Sequence, residues 1–429
     1  MRKGRLMKIL FVNATRKKHM FALAPPLALA TLAAHTPQNH TIEIVDENVS
    51  SLKFKDYDLV AISCTTDGVV RGYEIAKEYR EKGAKVVMGG VHVSMLPNEA
   101  INYCDSVVIG EAESVWKIVL NDFENKSLKK FYYGERLPMV NLPIPRRDLF
   151  KKRYVMQNIE TARGCPFRCE FCSVSAFSGE TYRQRPIKEV IDEIETIKSK
   201  HLLFVDDNIL GVGKCNEERA IKLFNELKPL NKKSIAQASI NIADNNKVLK
   251  AFSDGGMKGL FIGIESLDKK NLEQMSKGIN LGRIEDYKRI IRKIHDHGML
   301  VLGSFIFGND YDTKKTFNDT IEFINAADLD AHLFHFLLPL PGTRLYDRLF
   351  KENRILYSNY PDDWKKYREV VFKPKNMTSE ELELNAYDAL KQTSSLGFSF
   401  NKFLKSMSIT KSLSVALGLF IYNCIKSNW

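Results

Sequence analysis

Short apolar runs alternate with polar runs of helical spacing, and the alternation falls into two blocks. In residues 8–125 the strand-like runs are Lys8–Asn13, Thr41–Asp46, Leu59–Cys64, Lys85–Gly90 and Ser106–Gly110. Apolar strands separated by helical segments predict a parallel sheet with helices on both faces. Five such strands fit a flavodoxin-like (Rossmann-type) α/β fold, which binds ligands beyond the carboxyl ends of its strands. In residues 158–340 the alternation repeats six times. Strand candidates there are Asn158–Ala162, Leu202–Val205, Ile235–Ser239, Gly259–Ile264, Leu300–Phe307 and His332–Leu338. Helical runs between them include Ile187–Lys198, Asn216–Leu227, Asn246–Ser253 and Ile284–His297. Parallel strands with helical crossovers predict a barrel-type sheet whose chemistry lies at the strand C-termini.

The pattern divides the chain into residues 1–130, a linker at 131–157, a barrel region at 158–343 and a helical C-terminal region at 344–429. Pro143 and Pro145 bar a helix interior in the linker. Arg146 and Arg147 beside them suit either domain docking or simple solvation. Thr378-Ser379-Glu380-Glu381 reads as a helix N-cap before Leu382, Leu384 and Ala386. Residues 413–425 are apolar between Lys411 and Lys426, too short to span a bilayer. They fit a helix docked on the barrel or, alternatively, peripheral membrane contact.

Three cysteines, Cys165, Cys169 and Cys172, share one short loop at C-x3-C-x2-C spacing. A structural zinc site takes four ligands and usually pairs two C-x2-C hooks. No second hook exists here. A [4Fe–4S] cluster normally takes four thiolates, so three would leave one iron open to another ligand. Buried thiols or a partial zinc hook are the plainer readings.

Polar residues gather where the predicted strands end. In the first block these are Ser63, Thr65 and Thr66, then Gly89-Gly90-Val91-His92, then Gly110-Glu111-Ala112-Glu113. In the second they are Asp206-Asp207-Asn208, Gln237, Ser239, Gly263 and Glu265. The acids suit ligand contacts, or capping of the next helix. Tyr182, Arg183 and Arg185 follow the cysteine loop and suit an anion contact or a plain salt bridge.

The cysteine loop, with Phe171 before its third cysteine, resembles the radical SAM superfamily. That resemblance implies a [4Fe–4S] cluster on Cys165, Cys169 and Cys172, with S-adenosylmethionine (SAM) on the open iron. Reductive cleavage of SAM would release a 5′-deoxyadenosyl radical. It also implies a partial (βα)6 TIM-type barrel, with SAM contacts from Phe171, Asp206, Asp207, Gln237, Ser239, Gly263 and Glu265. Gly259–Glu265 is similar to the family's G-x-I-x-G-x-x-E strand, with one residue fewer before the glutamate. The Gly-Gly-x-His and Gly-Glu-x-Glu signatures and the Pro25-Pro26-Leu27-Ala28-Leu29-Ala30 run resemble the cobalamin-binding domain of one subfamily. The resemblance implies cobalamin held by Ser63, Thr65, Gly89, Gly90, His92, Gly110 and Glu111. No Asp-x-His-x-x-Gly motif is present, so it implies no histidine below the cobalt. His92 is then a hydrogen-bonding residue, and the two domains are expected to have separate cores. A degenerate domain serving as scaffold is the alternative.

The implied function is cobalamin-dependent methyl transfer to an unactivated carbon or phosphorus centre. The alternative is radical cyclisation, rearrangement or oxidation with no methyl transfer. A tRNA methylthiotransferase would carry three cluster cysteines in its N-terminal domain, whereas residues 1–150 hold Cys64 and Cys104 alone. A cofactor-carrier or redox-sensing module fits the cysteines but not the acids repeated at strand ends. The implied partners are a small-molecule or lipid substrate and an external low-potential electron donor such as flavodoxin or ferredoxin.

Composition adds bounds. Seven cysteines, an odd number with three clustered, argue against a disulfide framework and for a reducing, cytoplasmic setting. The basic start, Met1 to Lys8, leads into an apolar run, Ile9 to Val12, far too short for a signal peptide. The lysines behind the net charge of +12 are scattered along the whole chain and not blocked, as on a generally basic surface, and nucleic acid is not an expected partner.

Overall fold

The computed structural model describes residues 6–15, 22–150 and 154–425, so the basic start at 1–5 and Lys426 lie outside the described residues. The first block forms β1 (Lys8–Asn13), β2 (Thr41–Asp46), β3 (Leu59–Ser63), β4 (Lys85–Gly89), β5 (Ser106–Gly110) and β6 (Phe131–Gly134). All pair in parallel in the order β2-β1-β3-β4-β5-β6. The flavodoxin-like expectation is borne out, with one correction. The segment read as linker opens with β6, which extends the sheet beyond the expected five strands. The central strands are apolar on both faces because both faces are covered. Leu10, Val12, Val60, Ile62 and Met88 enter one core, and their neighbours Ile9, Phe11, Leu59, Ala61 and Val87 enter the other.

The second block continues with β7 (Gln157–Ile159), β8 (Ala162–Arg163), β9 (Arg183–Gln184), β10 (His201–Phe204), β11 (Lys233–Ala238), β12 (Met257–Glu265), β13 (Leu300–Phe307) and β14 (Ala331–Phe336). Six of them form one parallel sheet in the order β14-β13-β12-β11-β10-β7, the open six-unit barrel. The run expected as one strand at Asn158–Ala162 is divided. β7 ends at Ile159, and Ala162 starts β8, an antiparallel partner of β9. This small hairpin is the stem of the cysteine loop. Outward residues such as Phe204, Ala236, Ile262 and Val301 pack under the crossover helices. The alternate residues Leu203, Ile235, Gln237, Phe261, Leu302, Leu333 and His335 turn inward and stay half-buried or exposed. A closed barrel fills its interior with such side chains; this one leaves an open lumen.

The C-terminal region is helical as expected, with helices Arg344–Lys351, Ser379–Gln392, Leu396–Thr410 and Leu413–Ile425. Thr378 and Glu381 form the anticipated reciprocal cap. The N-terminal sheet and the barrel have separate buried cores, as expected, but the C-terminal region adds to the first of them. Trp364, Tyr367 and Val371 are buried in the core of the N-terminal sheet, because the chain after the barrel returns to cover it.

Candidate functional site

The C-terminal ends of the two sheets face each other across a cavity of about 430 Å³. One wall carries Ser63, Gly89, Gly90, Gly110 and Glu111 from the ends of β3, β4 and β5. The helix start Pro25–Leu32 closes a second side. The opposite wall is Asn158, Glu160, Arg163, Val205 and Asp207 from the barrel. Most of the lining is apolar or backbone.

The glycines on this wall have different reasons to be there. Gly90 (φ +100°) and Gly110 (φ +83°) adopt left-handed backbone. A Cβ on Gly90 would lie 2.7 Å from the Cys64 carbonyl oxygen, and one on Gly110 would lie 2.7 Å from that of Gly134. Strand-end packing therefore requires both, whatever the cavity holds. Gly89 has ordinary backbone, and a Cβ there would meet nothing closer than 3.6 Å, so its open face belongs to the cavity.

Glu111, expected as a ligand contact, is buried as a clamp between the two halves. Its Oε2 accepts from Arg163 Nη1 at 3.1 Å and Arg183 Nη1 at 3.0 Å, and its Oε1 accepts from Arg183 Nη2. Both arginines lie on the β8–β9 stem. Arg163 also donates to Glu113 at 2.7 Å and Glu160 at 2.9 Å. Burial opposes the Arg163 charge, but Glu160, Glu113 and Glu111 outweigh it and raise its pKa. The Gly-Glu-x-Glu signature thus ties the N-terminal sheet to the cysteine loop. Asn158 adds a second tie, donating to the Pro25 carbonyl at 2.6 Å. Arg147 reaches Glu193 at 2.5 Å, whereas the Arg146 side chain pairs with nearby Asp148 and its N–H donates to the Ala30 carbonyl at 3.0 Å. Arg185 also makes a plain salt bridge, to Glu193 at 2.7 Å.

His92 and Thr65 do not line the cavity. The His92 ring is buried, with Nδ1 3.2 Å from Thr66 Oγ1 and Nε2 3.4 Å from Glu99 Oε1. Glu99 also accepts from Tyr73 at 2.7 Å and from Trp364 Nε1 at 3.1 Å. Thr65 donates to Asp67 at 2.7 Å, and Asp67 pairs with Arg368. Both residues therefore hold the returning C-terminal segment.

The cysteine loop leaves the stem at Gly164 (φ +85°), where a Cβ would strike the Thr181 carbonyl oxygen at 2.3 Å. Asp207 accepts from the Gly164 N–H at 2.9 Å while facing the cavity, and so holds the loop to the end of β10. On the far side Arg348 donates to Glu170 at 2.7 and 3.1 Å and to Asp310 at 3.0 Å. Phe171 packs partly buried against the core that the barrel shares with the C-terminal region. Cys169 is buried; Cys165 and Cys172 are half-buried. Burial pushes all three thiols up, Cys169 to about 11, while Lys277 pulls each of them down.

Lys277 went unforeseen in the sequence, where it is one lysine among many. Its Nζ lies 2.9 Å from Glu265 Oε1. Burial works against its charge, but Glu265 and the Cys169 and Cys172 thiols raise its pKa. A buried cation facing three thiols suits an anionic centre on that loop. Among the described residues no three His, Cys, Asp or Glu side chains are placed to hold a single metal ion. A cluster instead takes each thiolate on a separate iron. The donor set therefore fits a three-thiolate cluster, which Cys165, Cys169 and Cys172 would hold.

The remaining strand-end residues divide by direction. Asp206 turns away from the mouth: its oxygens accept from Thr161 N at 2.6 Å and Thr161 Oγ1 at 2.5 Å, and burial raises its pKa to about 7. Ser239 accepts from Asn208 at 2.8 Å. Gln237 opens into the lumen. Glu265 sits at a register shift against β13 with φ +64°, strained backbone of the kind found at functional positions. A Cβ on Gly263 would lie 2.1 Å from Glu265 Oε1, so the Glu265–Lys277 pair already occupies the space above that glycine.

Comparison with known proteins follows the same division. The Radical SAM superfamily model matches residues 159–324, and the B12 binding domain model matches residues 21–120. Bacteriochlorophyllide d C-8(2)-methyltransferase of Chlorobaculum tepidum is 31% identical over 85% of this chain and 84% of its own length. Hopanoid C-2 methylase of Rhodopseudomonas palustris is 27% identical over 79% of this chain and 66% of its own. The fold matches OxsB, a cobalamin-dependent S-adenosylmethionine radical enzyme solved with aqua-cobalamin and S-adenosylmethionine bound. Its TM-score is 0.70, at 16% identity over 99% of this chain and 72% of that one.

Proposed function

This chain belongs to the radical SAM superfamily, among its cobalamin-dependent methyltransferases, and we propose that its methyl acceptor is an unactivated carbon on a largely apolar small molecule held in the barrel lumen. The observation that carries this reading is the placement of the cavity. It is bounded by the β3–β5 ends on one side and by Asp207 and Arg163, which hold the cysteine loop, on the other. A carrier bound there lies beside the mouth of the lumen. The cofactors are a [4Fe–4S] cluster, SAM and cobalamin; together they supply a 5′-deoxyadenosyl radical and a transferable methyl group.

The chain's own residues position and enclose. Arg163 and Arg183, clamped on Glu111, set the cysteine loop against the N-terminal sheet. Arg348 holds the loop from the other side through Glu170. Lys277 offsets the negative charge that three thiolates bring into a buried place. Leu203, Ile235, Phe261, Leu302 and Leu333 offer the substrate an apolar wall with few hydrogen-bonding groups. Gln237 and His335 are the polar groups on that wall suited to orienting it. The His335 ring is accessible, but desolvation by the surrounding lumen lowers its pKa despite the opposing charge of Glu265, which favours the neutral imidazole, able to donate or accept. The named relatives methylate at carbon, C-8(2) of bacteriochlorophyllide d and C-2 of a hopanoid, as their names state. That supports a carbon acceptor over phosphorus.

The test is anaerobic reconstitution with a low-potential reductant, cobalamin and SAM bearing a deuterated methyl group. Cobalamin-dependent S-adenosylhomocysteine should appear, with the label in an organic-phase product of host extract. Formation of 5′-deoxyadenosine with no S-adenosylhomocysteine, with or without cobalamin, would transfer the assignment to radical chemistry without methylation.

A further inference from the structure

The last two helices are built inside out. In Leu396–Thr410 the buried positions are Ser399, Lys402, Ser406 and Thr410. The exposed large apolar residues are Leu396, Phe400 and Leu404, at 76%, 53% and 52% exposure. In Leu413–Ile425 the exposed large apolar residues are Leu413, Leu417 and Ile421, at 61%, 48% and 46%, while small Ala416 is buried and buried Asn423 donates to the Asp330 carbonyl at 3.1 Å. A helix that packs on a core for stability turns its apolar stripe inward. Here polar bonds do the anchoring. Lys402 pairs with Asp328 at 2.6 Å, Lys405 pairs with the same carboxylate, and Lys233 donates to Ser412 at 2.9 Å. Each exposed stripe steps by four residues and runs for about 12 Å of helix. Phe403 and Phe420 meet edge to face at 5.9 Å and join the helices into one hairpin.

The charge around these stripes points to what covers them. Residues 393–429 contain four lysines and no aspartate or glutamate; Lys402 and Lys405 share the single carboxylate of Asp328, and Lys411 is exposed between the two helices, so the hairpin keeps a net positive charge. A second copy of this chain would bring the same positive hairpin and a net charge of +12 against it. An anionic lipid headgroup layer complements both the charge and the apolar stripes. Among the described residues no helix is long and apolar enough to cross a membrane.

We propose that the hairpin Leu396–Ile425 docks this enzyme on an anionic phospholipid surface, lying in the interface without spanning it. The hairpin is bonded to residues that precede or begin β11 and β14, at the end of the barrel away from the cysteine loop. Docking therefore leaves the mouth and the interdomain cavity facing away from the bilayer.

The experiment is flotation of the full chain with vesicles of phosphatidylcholine alone, or of phosphatidylcholine with phosphatidylglycerol. Wild type should float with the phosphatidylglycerol vesicles and lose binding as salt rises. A Phe400→Asp/Leu417→Asp variant should bind at least about tenfold less, since two anchoring side chains are lost. Lys411→Glu should also bind less. Unchanged circular dichroism and SAM cleavage in these variants would show that the fold and cofactor sites are intact. Failure of wild type to float, equal flotation of the double variant, or equal binding to phosphatidylcholine alone would overturn the proposal. So would a dimer in light scattering that the double variant abolishes without any vesicle binding, which would make this a self-association face.

Discussion

Replacing Glu111 with glutamine removes the negative charge between two arginines and separates the two roles open to that residue. In the structure it joins the N-terminal sheet to the stem of the cysteine loop through three hydrogen bonds. Arg163 keeps Glu113 and Glu160 in the variant, so its loss is partial. Arg183 keeps the Leu137 carbonyl at 2.8 Å, and its Nε is already buried with no partner. Its side chain is 11% exposed. Hydrogen bonds to charged groups contribute about 1.5–3 kcal/mol, and stripping a buried ion of its partner costs about 3–5 kcal/mol. Glutamine retains one acceptor, so the expected destabilisation is about 2–3 kcal/mol. Calorimetry on the cofactor-free protein should show a Tm lower by several degrees. Leaving the cofactors out matters, because no ligand contact can then contribute. Arg183→Met should produce a similar fall, and the double variant should lose clearly less than the sum, because the two residues share one interaction. An unchanged Tm in Glu111→Gln together with weakened cobalamin binding would refute the clamp and make Glu111 a ligand contact.

Three further expectations follow from the site. Alanine at Cys165, Cys169 or Cys172 should abolish cluster absorbance and SAM cleavage, while Cys215→Ala, at an exposed helix start, should keep both; wild-type cleavage by any loop variant would refute the ligand assignment. Burial raises Asp206 from 3.8 to about 7, so the folded chain retains a proton that the unfolded chain releases, and stability drops as pH rises between about 4 and 7. Asp206→Asn should flatten that slope in urea titrations at pH 5 and pH 8; parallel losses in the two proteins would count against it. Gly89→Leu should block cobalamin uptake with little change in melting, whereas Gly90→Leu should unfold the N-terminal sheet outright; a fully stable Gly90→Leu protein would contradict the close approach to Cys64.

Much of this protein was legible from local pattern. The strands of both blocks lie close to where apolar runs place them, and Thr378 and Glu381 cap the helix that their spacing announces. The cysteine loop was legible for the same reason, because three ligands within a few residues must converge whatever surrounds them. The strand-end residues were harder. Asp206 and Asp207 are neighbours at one strand end, yet one turns back onto Thr161 and the other holds Gly164 at the cavity. Alternation assigns a face within a strand and stops doing so where the strand stops. Lys277 gave no signal at all, since its meaning lies in the thiols and the carboxylate beside it.

The sequence alone determined most of the elements, the parallel α/β class and the family, and put three thiols on one loop, all of which depend on residues near one another along the chain. Only the tertiary structure decided which distant partners those residues meet. Glu111 meets an arginine 72 residues away, and Glu99 meets Trp364 across 265. The first pairing gave a residue of the cavity wall a clamping partner that spacing could not announce, and the second buried His92 under the returning C-terminal segment. The inside-out hairpin belongs to the same class. Its spacing is that of any amphipathic helix, and which stripe faces the barrel was decided by Asp328 and Asp330, polar groups that the barrel offers and that lie far from the hairpin in sequence.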